Sequence, residues 1–595
     1  MRRPQRNMSR PLTRSTRLGD HSADRRMVLL CLMSLPVGVA AAASAWLLLH
    51  LIGFFTGLFW FGRLSWQAAD ITAATVGPMT ILIPVTGALI IGIMARFGSE
   101  KIRGHGIPEA METILYGESR LSPKVAILKP LSSAISIGSG GPFGAEGPII
   151  MTGGAVGSLF AQCFRMSAAE RKTLLVAGAA GGMTAIFATP IAAILLAVEL
   201  LLFEWKPRSL LPVVAAVLVA LGCRGAWLGA GPVFAATAAV PVDLLAVPGA
   251  VGLGLVVGLV ASGMAVALYR IEGAFERLPV HWMWCPAIGA LVVGIGGFLD
   301  PRVLGAGYGN IADLLSGSPA VTAVVVLLAM KALVWLVALA SGTSGGVLAP
   351  LLIIGGAIGW LGGLLLPGDA DFWALMGMAA VMSSGMRAPL TGILFAAELT
   401  GRYDALPMLA ACAATAYGLS VLVGRRSILT EKIARRGRHI LQEYGVDPLD
   451  VLQAAELMTA RPDTLPARMT LARTVDFFAG PARHRSYPVV DPQGRLVGLV
   501  SRSDVLGWRQ GARNLGATLE ETLSDSRQPT VHPETPCARV VELMIQSGIG
   551  RIPVTSAESG TVVGIITRHD LLRSRSKQLH EETVRSAARI WTAKS

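Results

Sequence analysis

Long apolar runs alternate with shorter ones, cut by Gly and Pro, between residues 27 and 436. The long runs can cross the roughly 30 Å of bilayer hydrocarbon as helices; they include 76–94, 250–268 and 321–340. Shorter helices at membrane depth are tolerated only where they line a cavity or are buried in protein. The pattern therefore predicts broken helices that point their ends at a site near the midplane. The short runs lie at 132–138, 148–163, 174–180, 190–199, 346–358 and 389–399.

An internal repeat divides this membrane domain. Residues 179–200 align with 378–399, and both segments contain a Pro-initiated apolar run that ends in Glu-Leu. Upstream, 144–157 resembles 346–359, and both segments share a Gly-Gly-Ala string. Two matches in the same order predict a pseudo-symmetric transporter or channel with its site between the halves. The predicted repeats span about 27–223 and 249–436.

Charged residues return from about residue 448, together with short alternating apolar runs. The segment YPVVDPQGRLVGLVSRSD at 487–504 matches IPVTSAESGTVVGIITRHD at 552–570. Each copy predicts a helix, two short strands and a closing helix. The chain thus ends in a small α/β pair, predicted at 448–511 and 524–576, and a tail at 577–595.

Composition supports a membrane protein and sets its orientation. Only 15% of the 595 residues are charged, against about 25% in soluble proteins. Residues 1–26 form an arginine-rich tail before an apolar run, 27–55, that is too long for a signal peptide. The positive-inside rule then predicts a cytoplasmic tail and a cytoplasmic α/β pair in a multi-pass protein of the cell membrane, in bacteria the inner membrane.

The net charge of +14 does not indicate a nucleic-acid partner, because the basic residues lie in tails and loops and no nucleic-acid motif is found. Six cysteines are scattered singly, without metal-ligand spacing. They predict small core residues, and neither a disulfide framework nor a metal site.

One Gly-rich turn, GSGGPFGAEGP at 138–148, carries a carboxylate and opens a half-helix. Gly144 and Gly147 let the backbone expose its N–H groups, and Pro148 occupies the first helical turn. Free N–H groups and the positive helix end form an anion site. The carboxylate of Glu146 can fill that site as a tethered anion and must leave before a free anion enters. The alternative is a Glu that only complements the helix dipole.

Two further turns, GHGIP at 104–108 and GGVLAP at 345–350, have the same character. Three helix N-termini between two repeats would hold an anion with partial charges, whereas full charges would hold it too tightly for passage. Glu199 and Glu398 are repeat mates at helix ends, where a structural role is expected.

These motifs resemble, in order and spacing, the three anion-binding signatures of the CLC chloride channels and proton/chloride antiporters. RAPLTGILFAAELT at 387–400 also resembles that family, and 448–575 looks like its paired CBS domains. The resemblance implies a mostly α membrane protein with a CLC-type inverted repeat, a homodimer with one pore per subunit, and Glu146 as the gate. The residues it assigns to the anion site are His105, Gly106, Ile107, Pro108, Gly144, Ala145, Gly147, Pro148, Gly346, Val347, Leu348, Ala349, Pro350 and Leu429.

Several positions depart from the family pattern. His105 stands where a Ser usually donates to the central anion, and Leu429 where a Tyr usually does. Ala145 replaces a basic residue, and Leu348 a Phe. A neutral imidazole still donates from one nitrogen, and a protonated one adds charge. Chloride is the expected ion, with nitrate and bicarbonate as alternatives.

The proton pathway and the regulatory pair are less defined. Family antiporters carry a relay glutamate directly after the position of Glu199, and Leu200 occupies it here. Glu204, one turn further on, is the candidate substitute, so channel and antiporter both stay open. Asp504 and Asp570 match the CBS position that meets the ribose of an adenine nucleotide; the alternative is a dimerisation module without ligand. No cofactor is required for transport itself.

Two other classes of protein fit the sequence less well. A cation carrier with CBS domains, such as a magnesium transporter, would place several carboxylates at membrane depth, and the apolar segments lack them. A membrane enzyme would need a nucleophile–base pair or metal ligands, and neither HExxH nor GxSxG occurs. The sequence therefore predicts a transporter of small anions and no enzyme.

Overall fold

The computed structural model describes residues 25–67, 69–236, 246–317, 319–436, 449, 452–510, 514–523 and 528–573. The chain divides into two compact units, 1–444 and 445–595. Residues 1–24 of the predicted basic tail and the predicted tail at 577–595 lie outside the described residues.

The first unit is helical, and seven of its described helical segments are long and apolar enough to cross a membrane. Its helices are α1 Arg25–Phe61, α2 Met79–Phe97, α3 Ile107–Tyr116, α4 Pro123–Gly138, α5 Glu146–Gln162, α6 Ala168–Phe187, α7 Pro190–Leu196, α8 Pro207–Trp227, α9 Ala246–Glu276, α10 Cys285–Leu299, α11 Tyr308–Ser316, α12 Val321–Ala340, α13 Leu348–Gly363, α14 Ala370–Met386, α15 Pro389–Thr400, α16 Leu406–Val423 and α17 Ile428–Arg435.

The predicted repeat is present in the helices themselves. Helices α1–α8 are followed by eight counterparts, α9–α16, in the same order, and α17 follows the second set. In each repeat the Pro-containing helix packs on the next one, α5 on α6 and α13 on α14. Two predicted half-helices are longer than expected. The run at 132–138 is the second half of α4, and the run at 174–180 lies inside the 20-residue α6.

Close backbone contacts explain the shared Gly-Gly-Ala string. A Cβ atom on Gly153 of α5 would meet the carbonyl oxygen of Gly178 on α6, and the reverse holds as well. Gly355 and Gly377 repeat this contact between α13 and α14. Small residues let membrane helices approach to backbone distance, so the string sets the spacing of both helix pairs.

The two repeats also cap each other. The Glu398 carboxylate accepts hydrogen bonds from the N–H groups of Ile191 (2.9 Å) and Ala192 (2.8 Å), at the start of α7. The Glu199 carboxylate accepts from Leu390 (3.1 Å) and Thr391 (2.8 Å), at the start of α15. A carboxylate at a helix N-terminus satisfies free donors and complements the helix dipole. The structural role predicted for both glutamates is confirmed.

The second unit contains two three-stranded sheets, ordered β1-β6-β5 and β2-β3-β4. Tyr487 faces Val500 in one sheet, and Ile552 faces Ile566 in the other, as the sequence repeat predicts. Each sheet has a separate apolar core. The elements are α18 Ala454–Leu457, β1 Thr459–Ala460, β2 Leu465–Pro466, α19 Leu471–Ala479, β3 Ser486–Val490, β4 Leu496–Ser501, α20 Arg502–Gln510, α21 Leu519–Leu523, α22 Cys537–Ser547, β5 Arg551–Thr555, β6 Val562–Thr567 and a helical segment at 568–573.

The glycine contacts predict a stability effect. Gly153→Ala and Gly355→Ala should each lower the free energy of unfolding by about 1–3 kcal/mol, since backbone cannot yield to the added methyl group. The apparent melting temperature of the purified protein in detergent measures this. Gly263→Ala in α9, with no atom within 4 Å of its added Cβ, is the matched control. It should be neutral or stabilise by up to about 1 kcal/mol. Equal effects at all three positions would contradict the packing argument.

Candidate functional site

The three Gly-rich turns that precede α3, α5 and α13 meet at one junction. Gly144 and Gly346 exchange two backbone hydrogen bonds, of 3.2 and 3.0 Å. A Cβ atom on Gly106 would lie 2.6 Å from the carbonyl oxygen of Gly147. A Cβ atom on Gly147 would in turn meet the carbonyl oxygen of His105. Backbone therefore packs directly on backbone, and three helix N-termini are brought together in the protein interior.

Glu146 is the first residue of α5 and is fully buried. A Cβ atom on Gly144 would collide with its carboxylate, and one on Gly346 would lie 2.7 Å from its Oε2 atom. The side chain thus folds back over its own turn towards the start of α13. Within the described residues, neither carboxylate oxygen has a hydrogen-bond partner. The backbone N–H groups of Glu146 and Ala349 face the carboxylate without reaching hydrogen-bond geometry. A buried carboxylate that lacks full hydrogen bonds is costly, so this conformation needs a proton or the positive potential of the helix ends.

His105 lies in the turn before α3, and its carbonyl oxygen packs on Gly147. Its flanking residues Gly104 and Gly106 have φ of +86° and +91°, which glycine adopts without strain. The imidazole is buried, and its Nδ1 atom has no hydrogen-bond partner among the described residues. A buried nitrogen without a partner is rare and indicates a ligand or a functional role.

The remaining predicted site residues line the helix starts. Leu348, Ala349 and Pro350 form the buried first turn of α13. Leu429 is fully buried at the start of α17, and α17 packs on α3. The Leu429 side chain offers no hydrogen-bond donor.

Two cavities approach the junction. The first, of about 980 Å³, reaches Ala145 and Tyr308 and is named the tyrosine cavity here. The second, of about 750 Å³, reaches Gly104 and Lys432 and is named the lysine cavity. They share no lining residue. The junction therefore separates two accessible spaces, as a closed gate would.

Tyr308 is a site residue that the sequence reasoning missed. It is the first residue of α11 and the repeat mate of Ile107. Its hydroxyl accepts a long hydrogen bond, 3.5 Å, from the N–H group of Ala145. The spacing Gly305-x-Gly307, which matches Gly104-x-Gly106, is the signal that identifies it.

Two buried lysines hold the turns that precede α3 and α11. The ammonium group of Lys129 donates to the carbonyl groups of Ile102 (2.8 Å) and Gly104 (2.7 Å) and to the Ser344 hydroxyl (3.0 Å). Its repeat mate Lys331 donates to Val303 (2.8 Å) and Gly305 (3.0 Å). Both lysines thus fix the backbone geometry of these turns.

Glu109 and Lys432 form a buried ion pair at the mouth of the lysine cavity. Their side chains approach to 2.7 Å and are 8% and 16% exposed. Glu109 also accepts a 2.9 Å hydrogen bond from the N–H group of Gly106. The pair connects α17 to the first Gly-rich turn, and no sequence motif predicts this contact.

Glu204 is half-buried and engaged by neighbouring polar side chains. A π-helical turn, Ala197–Leu202, extends α7 and contains the buried Leu200. Glu204 lies two residues after the end of this turn. Its carboxylate pairs with Lys172 at 3.0 Å and accepts a 2.7 Å hydrogen bond from the Ser209 hydroxyl.

In the second unit, Asp504 and Asp570 occupy equivalent places. Asp504 accepts a 2.8 Å hydrogen bond from the N–H group of Ser501, and Asp570 the same from Thr567. One carboxylate oxygen of each therefore supports the turn between strand and helix.

This architecture defines a multi-pass membrane protein in which three helix N-termini meet at a buried junction, followed by a paired α/β unit. The family model for the voltage gated chloride channel matches residues 86–421, and the CBS domain model matches 454–511 and 523–577. The chain belongs to the voltage gated chloride channel family and is an anion transporter with a CBS pair. The expected family membership and fold class are confirmed.

Named relatives support this family, and solved structures support the fold. A putative chloride channel protein ClcB-like from Ralstonia nicotianae is 30% identical over 60% of this chain and 85% of its own length. An H(+)/Cl(-) exchange transporter ClcA from Salmonella arizonae is 29% identical over 62% and 81%. A slow cyanobacterial Cl-/H+ antiporter shares the fold, with a TM-score of 0.60 and 20% identity over 70% of this chain and 98% of the antiporter. A eukaryotic CLC transporter gives 0.59 and 19% over 92% and 98%.

The buried ion pair predicts a non-additive stability effect. Lys432→Met should lower the free energy of unfolding by up to about 3–5 kcal/mol, because the buried Glu109 carboxylate then keeps only the more distant Arg436, at 4.0 Å. The double variant Glu109→Gln/Lys432→Met removes that charge and should recover much of the loss. Melting temperatures in detergent compare the variants.

Lys206→Met is the control, since Lys206 is 49% exposed and lies 3.6 Å from Glu204. It should change stability by no more than about 1 kcal/mol. A double variant less stable than Lys432→Met alone would show that the pair is not an energetic unit.

Proposed function

We propose that the chain conducts chloride between the tyrosine and lysine cavities, with Glu146 as the gate. The observation that carries this proposal is the buried Glu146 carboxylate, which lacks a hydrogen-bond partner among the described residues and lies between the N-termini of α5 and α13. Curated relatives named as a chloride channel and an H(+)/Cl(-) exchange transporter support chloride as the ion.

The gate works as a tethered anion. The ionised Glu146 side chain occupies the position where helix dipoles favour negative charge. Protonation, or rotation towards the tyrosine cavity, vacates that position, and chloride replaces the carboxylate. Partial charges bind the ion loosely enough for it to leave towards the lysine cavity.

The proposed anion contacts are backbone N–H groups at the three turns and one side chain. His105, with its unpartnered Nδ1 atom, is the proposed side-chain donor at the central position. The same proposal assigns lining roles to Ala145, Val347 and Leu429. Imidazole in place of a hydroxyl keeps nitrate and bicarbonate as the alternative ions.

Uncoupled conduction is the proposed mode. Leu200 cannot carry a proton, and Glu204 is engaged by Lys172 and Ser209. A relay through Glu204 would first have to break these contacts. Proton-coupled exchange through Glu204 is the second candidate.

The proposed assembly is a homodimer in the cell membrane, with the N-terminus and the CBS pair in the cytoplasm. The arginine-rich tail supports this orientation by the positive-inside rule. Apolar side chains such as Leu218 (58% exposed) and Leu390 (52%) need lipid or a partner subunit to cover them. The proposal assigns transport and no enzymatic activity.

Chloride efflux from proteoliposomes, followed by a chloride electrode and a pH electrode in one vessel, tests the gate. Efflux should accelerate as the pH falls, because protonation releases the Glu146 carboxylate. Glu146→Gln should give faster efflux that no longer depends on pH, since the amide is neutral throughout. Glu118→Gln, at a side chain 66% exposed, should behave like the parent protein.

The same vessel separates the alternatives. A pH dependence that survives Glu146→Gln would refute Glu146 as the gate. Proton movement that accompanies chloride, and that Glu204→Gln abolishes, would establish exchange. Nitrate efflux without chloride efflux from folded protein would replace the chloride assignment.

We propose further that the CBS pair binds an adenine nucleotide through Asp504 and Asp570. Addition of AMP, ADP or ATP at about 100 times the dissociation constant should stabilise the protein by about 2.7 kcal/mol, visible as a higher melting temperature. Asp504→Asn and Asp570→Asn should reduce that shift, and Asp491→Asn, in the β3–β4 turn, should not. No shift with any of the three nucleotides would favour a ligand-free dimerisation module.

A further inference from the structure

A pocket separate from the junction lies among α9, α14, α16 and α17. Its volume is about 290 Å³, and it is named the arginine pocket here. The lining contains five arginines and one carboxylate: Arg270, Arg387, Arg425, Arg426, Arg435 and Glu431. So many like charges around one small space repel each other, which calls for an anionic occupant.

The single carboxylate does not balance the cations. Glu431 pairs with Arg426 at 3.3 Å and with Arg435 at 3.6 Å. Arg270 and Arg425 are exposed at the rim, and in the described part of the chain neither makes an ion pair. The pocket therefore keeps a net positive charge with two free guanidinium groups at its entrance.

Arg387 fixes the floor of the pocket. Its two terminal nitrogens donate to the carbonyl groups of Ser420 (3.1 Å), Arg425 (3.1 Å) and Gly424. Its Nε atom is buried and has no partner within the described residues. An acceptor from outside the chain would satisfy that donor.

Exposed apolar side chains lie beside the arginines of the rim. Val266 on α9 lines it and is 50% exposed. Leu422 (85% exposed) and Val423 (57%) end α16 directly before Gly424. Cationic groups beside exposed apolar side chains, where membrane helices end, match a phospholipid with its headgroup inside and its acyl chains outside.

The pocket is connected to the pore by α17. The Tyr269 hydroxyl donates to the carbonyl of Ile428, the residue before Leu429. Arg435 lies over the Tyr269 ring, 4.9 Å from its centroid, and also lines the lysine cavity. A ligand in the arginine pocket thus contacts the helix that presents Leu429 to the junction.

We propose that the arginine pocket binds the phosphate group of an anionic phospholipid, and that this binding holds α17 in place for conduction. The chemistry recognised is a phosphodiester with attached acyl chains. A soluble phosphate shares the headgroup chemistry but lacks the apolar part that the rim fits.

Binding is tested on the full-length protein in neutral detergent, independently of transport. Dioctanoyl phosphatidylglycerol should raise the melting temperature, and dioctanoyl phosphatidylcholine should not. The variant Arg270→Gln/Arg425→Gln should weaken binding roughly thirtyfold, because each arginine beside an anionic lipid contributes roughly fivefold to the binding affinity. The charge-matched control Arg165→Gln/Arg277→Gln removes two exposed arginines outside the pocket and should bind like the parent protein.

Efflux from vesicles of phosphatidylcholine alone, compared with vesicles that also contain phosphatidylglycerol, tests the consequence. The parent protein and the control should be faster in the anionic vesicles, and the Arg270→Gln/Arg425→Gln variant should not respond. Equal shifts with inorganic phosphate and with the lipid would overturn the lipid assignment. Equal binding by both double variants would refute the arginine pocket as the lipid-binding site, whatever the flux measurements show about Glu146.

Discussion

Direct contact of backbone with backbone at the junction is the constraint on which the rest of the membrane unit depends. Gly147 lies against the carbonyl of His105, and Gly144 and Gly346 exchange hydrogen bonds. Side chains at these positions would push the three helix starts apart and remove the convergent N–H groups. Helices α3, α5 and α13 are shorter than membrane-spanning helices because they begin at this junction, inside the protein.

The two repeats share a frame and differ in chemistry. Glu199 and Glu398 cap each other's repeat, and buried lysines brace the equivalent turns. The equivalent helix starts, however, carry Glu146 in one repeat and Leu348 in the other. Symmetry thus supplies rigidity, and Glu146, which has no counterpart in the second repeat, is the residue proposed as the gate.

Much of the fold could be predicted from the sequence, because Gly, Pro and apolar runs act locally. The repeats, the broken helices and the CBS pair all follow from such signals. The predicted helices were too short where a helix continues beyond its apolar run through residues of mixed character, as in α6. The Lys432–Glu109 pair and the position of Tyr308 were missed, because they depend on contacts between segments far apart in sequence. The roles of Glu146 and His105 rest on chemistry and stay predictions.

The pairing of β1 with β6 has a consequence for biosynthesis. Thr459 lies opposite Ile565, so a strand near the start of the first CBS match completes the sheet of the second. During translation β1 leaves the ribosome well before its partner exists, and its edge stays unpaired until the last strand is made. Unpaired edges invite aggregation. The second unit therefore matures late, and a prematurely terminated chain would present that edge to cellular quality control.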